Sequence, residues 1–355
     1  MTHASTSAVR LCRGPGLHRL PGRRQVWVDD AGAPVQDAAE LARLRALSVP
    51  PGWTDVWASN DPVARIQATG VDARGRTQYR YSARATENAA RAKFHDLLGF
   101  AGALPQLRAR VGRDITSASS DDECRQVLRV AATAVRLLDR GLFRVGNGRY
   151  ARDNETYGLT TLTREQVAVD GTAVVFTFVG KEHRPWRVEI EDAAVTEVVR
   201  ELLEQRPAPD GRVFAARTAR ALHPISSTVV NAYIHGVVAE HATAKTFRTW
   251  GGTAAVMAML GGATAHDAPQ SRRPDLGAID VAAHLLGNTR AVARRSYVHP
   301  AAFHAGTSGE VRAAVDVASA RVATRDVRAL LHVDDVVRTM TRQLADRAAP
   351  STNLS

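Results

Sequence analysis

The feature that most limits the fold is a change of pattern near residue 85 of this 355-residue chain. Before it, two strand-like runs at 64–69 and 76–81 flank a turn-forming Asp-Ala-Arg-Gly segment, which predicts a β-hairpin. One helical pattern, at 37–47, has leucines three residues apart behind a capping Asp37. Residues 1–85 are therefore predicted to form a small β-rich N-terminal domain.

After residue 85 the pattern is mainly helical, and Thr86 is expected to cap the first helix. The chain is too long for one ordinary domain, so we expect an α+β fold with a larger, mainly helical domain at 86–348. The first eight residues and 349–355 are expected to be disordered. We predict a β-hairpin with strands 173–179 and 186–190, and helices at about 86–111, 121–138, 192–205, 226–240, 245–260, 276–286 and 309–345.

The charge of the chain favours a polyanionic partner. Lysine and arginine number 47 against 36 aspartates and glutamates, which gives a formal net charge of +11. This charge is not confined to one tail, and a positive field attracts nucleic acid. Nucleic acid is therefore the leading partner, although charge alone does not decide the matter.

Lysine is scarce among the basic residues: only Lys93, Lys181 and Lys245 are lysine. An arginine guanidinium, with a pKa above ~12, keeps its proton, whereas a lysine ammonium can lose one. A lysine in such an arginine-rich chain hints at a position that needs proton transfer. Lys181, at the predicted tip of the 173–190 hairpin, and Lys245 are the candidates.

Several function classes are disfavoured by what the sequence lacks. Cys12 and Cys124 have no CxxC spacing, so neither a zinc module nor a disulfide framework is indicated. The histidines at 235, 241, 299 and 304 have no convincing companions as metal ligands. The best apolar run, 254–260, is far short of the ~20 residues that span a bilayer, and no signal peptide is evident. We therefore expect a soluble, cytoplasmic protein without a metal site.

Four segments, in chain order, combine residues suited to phosphodiester chemistry. They are Leu142-Phe-Arg144-Val-Gly-Asn followed by Asn154-Glu-Thr-Tyr-Gly158; Phe178-Val-Gly-Lys181; Lys245-Thr-Phe-Arg248-Thr-Trp-Gly; and Leu286-Gly-Asn288-Thr-Arg-Ala-Val-Ala-Arg-Arg-Ser-Tyr297. No single segment is specific, but the ordered set resembles the bacterial and poxvirus-like family of type IB DNA topoisomerases. Ile66-Gln-Ala-Thr-Gly and Gly75-Arg-Thr-Gln-Tyr-Arg-Tyr81 extend the resemblance, which spans about 20–305.

The resemblance implies that Tyr297 cuts one DNA strand and becomes linked to its 3′-phosphate, without metal, ATP or any other cofactor. A phenolate is a stable leaving group, so the link keeps the bond energy and the reaction can run backwards to reseal the strand. Taken alone, the Arg-Arg-Ser-Tyr segment would more often mark a half-buried core tyrosine. The other three segments reverse that preference.

The resemblance also implies roles for the residues around the phosphate. Arg144 and Arg248 would grip two non-bridging oxygens, and Lys181 would protonate the leaving 5′-oxygen; an ordinary charged turn residue is the alternative for Lys181. Asn288 stands where many family members carry a histidine. Its amide can donate a hydrogen bond to the phosphate but cannot titrate. The competing hypothesis is that His284, four residues earlier, has taken over that role.

Other residues are implied in DNA binding. Lys245 is expected to share a helix face with Arg248 and to contact the phosphate. Gln78, Tyr79 and Tyr81 match residues with which the family contacts bases and backbone in the major groove, although the aromatic rings could instead pack under the sheet. The two domains would close round duplex DNA as a clamp in a monomeric, nucleoid-associated enzyme, and the cut end would swivel.

Three other classes of protein are compatible with part of the sequence, and each is disfavoured by another part. A tyrosine recombinase shares the catalytic fold and the Arg, Lys, Arg and Tyr chemistry, but recombinases usually carry His-x-x-Arg where this chain has Lys245-Thr-Phe-Arg248, and their N-terminal domain is a helical bundle. A non-catalytic DNA-binding protein is disfavoured because every expected catalytic position except the histidine is filled. A metal-dependent nuclease lacks its convergent Asp, Glu and His set.

Overall fold

The structure is a computed structural model, and the chain divides into two compact units, residues 1–93 and 94–355. The division falls inside one long helix, and the predicted domain boundary after residue 85 stays a prediction. The first eight residues, the predicted tail at 349–355 and Asn154 lie outside the described residues. Those described are 14–22, 26–117, 122–148, 151–152, 155–206, 208, 210–217, 222–238, 241–268 and 271–348.

The first unit is built on an antiparallel sheet of strands Gly16–Arg19 (β1), Trp27–Val28 (β2), Thr54–Ser59 (β3), Ile66–Val71 (β4) and Thr77–Tyr81 (β5). Their spatial order is β2-β1-β3-β4-β5. The predicted hairpin is β4 and β5, in which Thr69 pairs with Tyr79. Its turn is closed by a 2.9 Å hydrogen bond from Gly75 N to Asp72 O. Gly75 has a φ of +72°, a conformation that glycine adopts without strain.

One helix, Ala38–Ala46 (α1), packs on this sheet. It begins as predicted at Asp37, whose carboxylate accepts a 2.8 Å hydrogen bond from Ala39 N. Of the three periodic leucines, Leu44 is 2% exposed and enters the core. The buried apolar core of the unit consists of Leu17, Trp27, Leu44, Val49, Val56, Ala58 and Ala68.

The second unit is mainly helical, which confirms the predicted α+β class. The helix Ala83–Thr116 (α2) leads into it. The predicted hairpin of this unit forms with a third strand in the order β6-β7-β8. The helices are Glu123–Gly141 (α3), Ala193–Glu204 (α4), Ser227–His235 (α5), Ala244–Leu260 (α6), Pro274–Leu286 (α7), Arg290–Tyr297 (α8), Ala302–Ala305 (α9), Gly309–Val322 (α10), Val327–Leu330 (α11) and Asp334–Ala348 (α12), and the strands are Val167–Asp170 (β6), Ala173–Gly180 (β7), Arg184–Glu191 (β8), Ala215–Arg217 (β9) and Leu222–Pro224 (β10).

Helix α6 is the central element of this unit. Of its 17 residues, 13 are buried, so it is surrounded by other elements on nearly every side. A helix in this position can bring several functional side chains to fixed places. Among the described helices, none has the length and apolar character needed to cross a membrane.

The prediction of a single helix at 309–345 is wrong, because the segment is three helices. Helix α10 ends at Val322, and its C-cap, Ala323, has a left-handed φ of +55°. Arg325 O then accepts a hydrogen bond from Thr264 N, and Val327 N donates to Thr264 O. The side chain of Asp326 caps the next helix by accepting from Arg328 N at 2.8 Å.

Two predicted helix ends are also wrong. Helix α2 is capped by Ser82 and not by Thr86: the Ser82 hydroxyl accepts from Ala85 N, and Thr86 instead donates its hydroxyl to Ser82 O at 3.0 Å. Helix α5 ends at His235, five residues before the predicted end, where Gly236 follows. In both places a local side-chain or glycine signal decides the boundary.

Candidate active site

The structure brings together four of the five predicted catalytic residues. Arg144 Nη2 donates a 2.9 Å hydrogen bond to Asn288 Oδ1. The guanidinium carbon of Arg248 lies 5.0 Å from the centre of the Tyr297 ring. Lys181 stands outside this cluster, with an exposed side chain at the tip of the β7–β8 hairpin.

Helix α6 fixes Arg248. The helix begins with a capping box, in which Thr243 N donates to Thr246 Oγ1 at 3.0 Å. Arg248 lies in the following turn and is only 2% exposed. Its guanidinium donates to Leu142 O and, at 2.7 Å, to Leu286 O.

Those two carbonyl groups belong to helix ends. Leu142 is the C-cap of α3, with a left-handed φ of +51°, and Leu286 is the last residue of α7. Carbonyl groups at helix C-termini lack intrahelical partners and carry partial negative charge, so they suit a buried cation. The Arg248 guanidinium thereby joins three helices.

Glycines let α6 come close to those helix ends. A Cβ on Gly251 would overlap the Leu142 side chain, and a Cβ on Gly252 would lie 3.0 Å from Leu286 Cδ1. Two consecutive glycines inside a helix lower its intrinsic stability, which is a signal in the sequence that the helix packs closely against another element.

The segment between α7 and α8 places Asn288. Gly287 ends α7 with a left-handed φ of +55°, and a side chain there would collide with Trp186. Asn288 N then donates back to Ala283 O at 2.9 Å, as in a Schellman motif. Thr289 caps α8, and Tyr297 is its last residue.

Arg144 is placed by an aromatic cluster. The side chain before it, Phe143, is fully buried, and its ring centre lies 5.0 Å from that of Phe176 and 6.0 Å from that of Phe178. The ring of Trp186 on β8 stacks on Phe178 at 5.8 Å. The hairpin that carries Lys181 therefore packs against the segment that carries Arg144.

The electrostatics of the cluster favour an ionised phenol. Burial alone would raise the pKa of Tyr297, but the adjacent charge of Arg248, with smaller contributions from Arg144 and Lys245, holds that pKa below its ordinary value. Burial and the charge of Arg144 lower the pKa of Arg248 to about 10, so this guanidinium stays charged at neutral pH.

The cluster also has unused hydrogen-bond donors. Among the described residues, no partner is found for the buried Arg248 Nε or for the buried Asn288 Nδ2. A buried donor without a partner is costly unless a ligand satisfies it. These two donors, together with the guanidinium group of Arg144, could bind a tetrahedral anion such as a phosphate group.

The two lysines differ from the buried cluster. Lys245 is exposed in the first turn of α6, three residues before Arg248, yet its charge acts on the Tyr297 phenol. Lys181 begins a tight turn in which Glu182 and His183 have φ angles of +65° and +54°. Burial lowers the pKa of Arg144, while the negative charges of Tyr297 and, more weakly, Glu182 oppose this effect. The hairpin tip thus places a carboxylate near the cluster.

The predicted DNA-contact residues of the first unit lie on β5. The rings of Tyr79 and Tyr81 stack with centres 6.1 Å apart and are 38% and 50% exposed, so these two residues do not pack under the sheet. Gln78 Nε2 donates to Asp72 Oδ2 at 2.9 Å and supports the hairpin turn. The exposed pair presents two aromatic faces to the surroundings.

His284, the alternative hydrogen-bond donor to the phosphate, lies beside the carboxylate of Asp267. Its Nε2 lies 3.5 Å from Asp267 Oδ2.

His299 is buried and packs edge-on against Phe94, with ring centres 4.6 Å apart. Within the described residues, no three His, Cys, Asp or Glu side chains are grouped so that they could hold a metal ion.

Sequence reasoning missed Thr253. Its side chain is fully buried on α6, and its hydroxyl lies 3.2 Å from Tyr297 O. No pattern in the sequence could indicate this contact, because it joins a side chain to a main-chain atom far along the chain.

Comparison with known proteins places the chain in a family. The model of the family described as "Eukaryotic DNA topoisomerase I, catalytic core" matches residues 82–314, and that of "Bacterial DNA topoisomerase IB, N-terminal domain" matches residues 25–72. The DNA topoisomerase 1B of Acanthamoeba polyphaga mimivirus is 27% identical over 268 residues, which cover 73% of this chain and 77% of that protein. The DNA topoisomerase 1B of vaccinia virus (strain Copenhagen) and the DNA topoisomerase I of monkeypox virus are each 25% identical over 147 residues, which cover 39% of this chain and 44% of each viral protein.

Because the catalytic-core family matches well over half of the chain, the chain belongs to the type IB DNA topoisomerase family, and the resemblance expected from its motifs is confirmed. Its activity is that of a type I DNA topoisomerase. The tyrosine recombinase alternative is not favoured, since both matching families are topoisomerases.

Proposed function

We propose that Tyr297 cuts one strand of duplex DNA by attack of its phenolate oxygen on a backbone phosphorus. The new bond joins Tyr297 to the 3′-phosphate. The bond between phosphorus and the 5′-oxygen breaks, and that oxygen takes up a proton and leaves as a hydroxyl. The bond energy stays in the phosphotyrosyl link, so the same steps in reverse reseal the strand.

Arg144, Arg248 and Asn288 are proposed to bind the scissile phosphate. Two guanidinium groups and one amide can donate to its non-bridging oxygens and stabilise the extra negative charge of the transition state. The unpartnered Arg248 Nε and Asn288 Nδ2 support this role among the described residues. The Asn288 amide donates at any pH but, unlike the usual histidine, cannot carry a charge.

The two lysines are proposed to act from the surface. Lys181 would donate the proton to the leaving 5′-oxygen after the hairpin tip closes on bound DNA. Lys245 would contact a phosphate near Tyr297, which its electrostatic effect on the phenol supports.

DNA binding is proposed to use both units of a monomer that closes round the duplex. The net charge of +11 supports binding mainly through phosphates. The exposed Tyr79 and Tyr81, with Gln78, are proposed to contact the major groove. The cut end would then swivel under the torsional stress of the DNA, so that neither ATP nor metal drives the cycle. Such an enzyme would work on the nucleoid in the cytoplasm.

The observation that carries this proposal is the pairing of the Tyr297 ring with the buried Arg248 guanidinium. The test is plasmid relaxation in EDTA without ATP. We expect both positive and negative supercoils to relax, and denaturant to trap the protein on the 3′ end of the nick. Tyr297→Phe should lose all relaxation and still bind DNA. The proposed function would be rejected by attachment of the protein to a 5′ end, by a requirement for magnesium, or by relaxation with the Tyr297→Phe variant.

A further inference from the structure

The Thr253 hydroxyl makes an unusual set of contacts. The side chain has no solvent exposure. Its Oγ1 lies 2.7 Å from Thr249 O and 3.2 Å from Tyr297 O, so its single hydrogen is shared between two carbonyl groups. The same oxygen accepts a 3.0 Å hydrogen bond from His299 N.

Another buried threonine shows what is different. Thr133, on α3, also has no exposure, and its hydroxyl donates at 2.8 Å to Arg129 O, four residues earlier. That bond is the common way in which a threonine inside a helix satisfies its hydroxyl. Thr253 forms the same bond to Thr249 and, in addition, contacts the main chain on both sides of Val298. Its hydroxyl therefore joins α6 to the segment that follows the nucleophile.

The helix that carries Thr253 also carries Arg248, so one rigid element holds both the main chain of Tyr297 and the cation beside its ring. Gly252, directly before Thr253 on α6, also lets the main chain of Tyr297 lie close to this helix. A Cβ there would lie 3.2 Å from Tyr297 O, and glycine leaves that carbonyl free to reach the Thr253 hydroxyl.

We infer that Thr253 is a positioning residue for the nucleophile: its hydroxyl holds the Tyr297 carbonyl and the His299 amide against α6, and this keeps the phenol in place beside Arg248. The inference rests on the proposed role of Tyr297. In-line attack needs the oxygen close to the phosphorus and aligned with it, and a displacement of about 1 Å can cost 10²-fold in rate.

The test compares single-turnover cleavage by Thr253→Ala, Thr253→Ser and Thr133→Ala. Alanine removes the hydroxyl without placing a methyl group 2.7 Å from Thr249 O, as valine would. Serine keeps the hydroxyl, and Thr133→Ala is the matched loss of a buried helical hydroxyl elsewhere. We expect Thr253→Ala to cleave on the order of 10–10²-fold more slowly at saturating DNA with an unchanged Kd. Thr253→Ser and Thr133→Ala should cleave within about threefold of wild type.

A substrate with sulfur in place of the bridging 5′-oxygen adds a second readout. A thiolate leaves without a proton, so it relieves a missing acid but not a misplaced nucleophile. Thr253→Ala should stay slow on this substrate. A normal rate for Thr253→Ala, a loss confined to DNA affinity, or an equal loss in Thr133→Ala would overturn the inference.

Two controls keep the outcomes distinct. If wild type forms no covalent complex, or Tyr297→Phe forms one, the proposed function fails and not merely the role of Thr253. If Thr253→Ala does not fold, Thr253→Cys carries the same prediction: it puts a weakly hydrogen-bonding thiol where Thr253→Ser has a hydroxyl, and both variants lack the γ-methyl group.

Discussion

The active site has a buried part and an exposed part, and the two are built differently. In the buried part, Arg248 is held by the carbonyl groups of two helix ends, and Tyr297 ends a helix that packs against the same central element. In the exposed part, Lys181 stands on a tight turn with left-handed residues and an open side chain. The comparison indicates that the fold itself holds the proposed nucleophile and phosphate-binding residues in place, whereas the proposed proton donor, Lys181, depends on a surface turn.

The largest effect should come from the buried part. Arg248→Ala removes a guanidinium beside both the phenol and the proposed phosphate, so we expect single-turnover cleavage to fall by on the order of 10³-fold. Arg248→Lys should not restore the rate, because an ammonium lacks the planar fork that reaches Leu142 O and Leu286 O. Rapid-quench cleavage of a labelled duplex measures this.

A matched variant separates chemistry from stability in that experiment. Arg164 also donates to carbonyl groups at a helix end, those of Leu202 and Gln205 at the end of α4. Arg164→Ala should lower the melting temperature without slowing cleavage. A folded Arg248→Ala that cleaves within tenfold of wild type would contradict the central role given to the buried guanidinium.

In the exposed part, the effect of replacing Lys181 should depend on whether the leaving group is oxygen or sulfur. Lys181→Ala is expected to cleave ordinary DNA about 10²–10³-fold more slowly, within the usual range for loss of a general acid. It should recover on the substrate with a bridging 5′-sulfur, because a thiolate needs no proton to leave. If both substrates are impaired equally, Lys181 stabilises charge electrostatically and the distinction between the two parts weakens.

A smaller loss is expected at Asn288, where the family usually has histidine. Asn288→Ala should slow cleavage by roughly 10²-fold, as for one lost donor to a developing charge. Asn288→His should remain active, and His284→Ala should stay near the wild-type rate, because His284 faces Asp267. A near-normal Asn288→Ala beside a crippled His284→Ala would assign the donor role to the histidine instead.

How much the sequence could predict depends on where the contacts lie. The strand pattern at 173–190 correctly predicted that Lys181 lies at a hairpin tip, and the ordered motifs named the four residues that the fold brings together. The break between α10 and α11 could not be read from the pattern, since it depends on pairing with Thr264. Thr253 was missed for a similar reason. Its hydroxyl contacts main-chain atoms of Tyr297 and His299, and such contacts do not affect the pattern of apolar and polar side chains along the sequence.

The smallest effect tests Lys245 as a surface phosphate contact. If ~6 phosphates are neutralised, log K should fall with log salt at a slope near −5, and Lys245→Ala should make that slope shallower by about 1 because one counterion fewer is released. Asn288→Ala carries no change of charge, so it should leave the slope unaltered, and Lys245→Arg should preserve it. Binding is best measured with all variants in a Tyr297→Phe background, where no strand is cut. An unchanged slope for Lys245→Ala would mean that this exposed lysine acts on the phenol without neutralising a DNA phosphate.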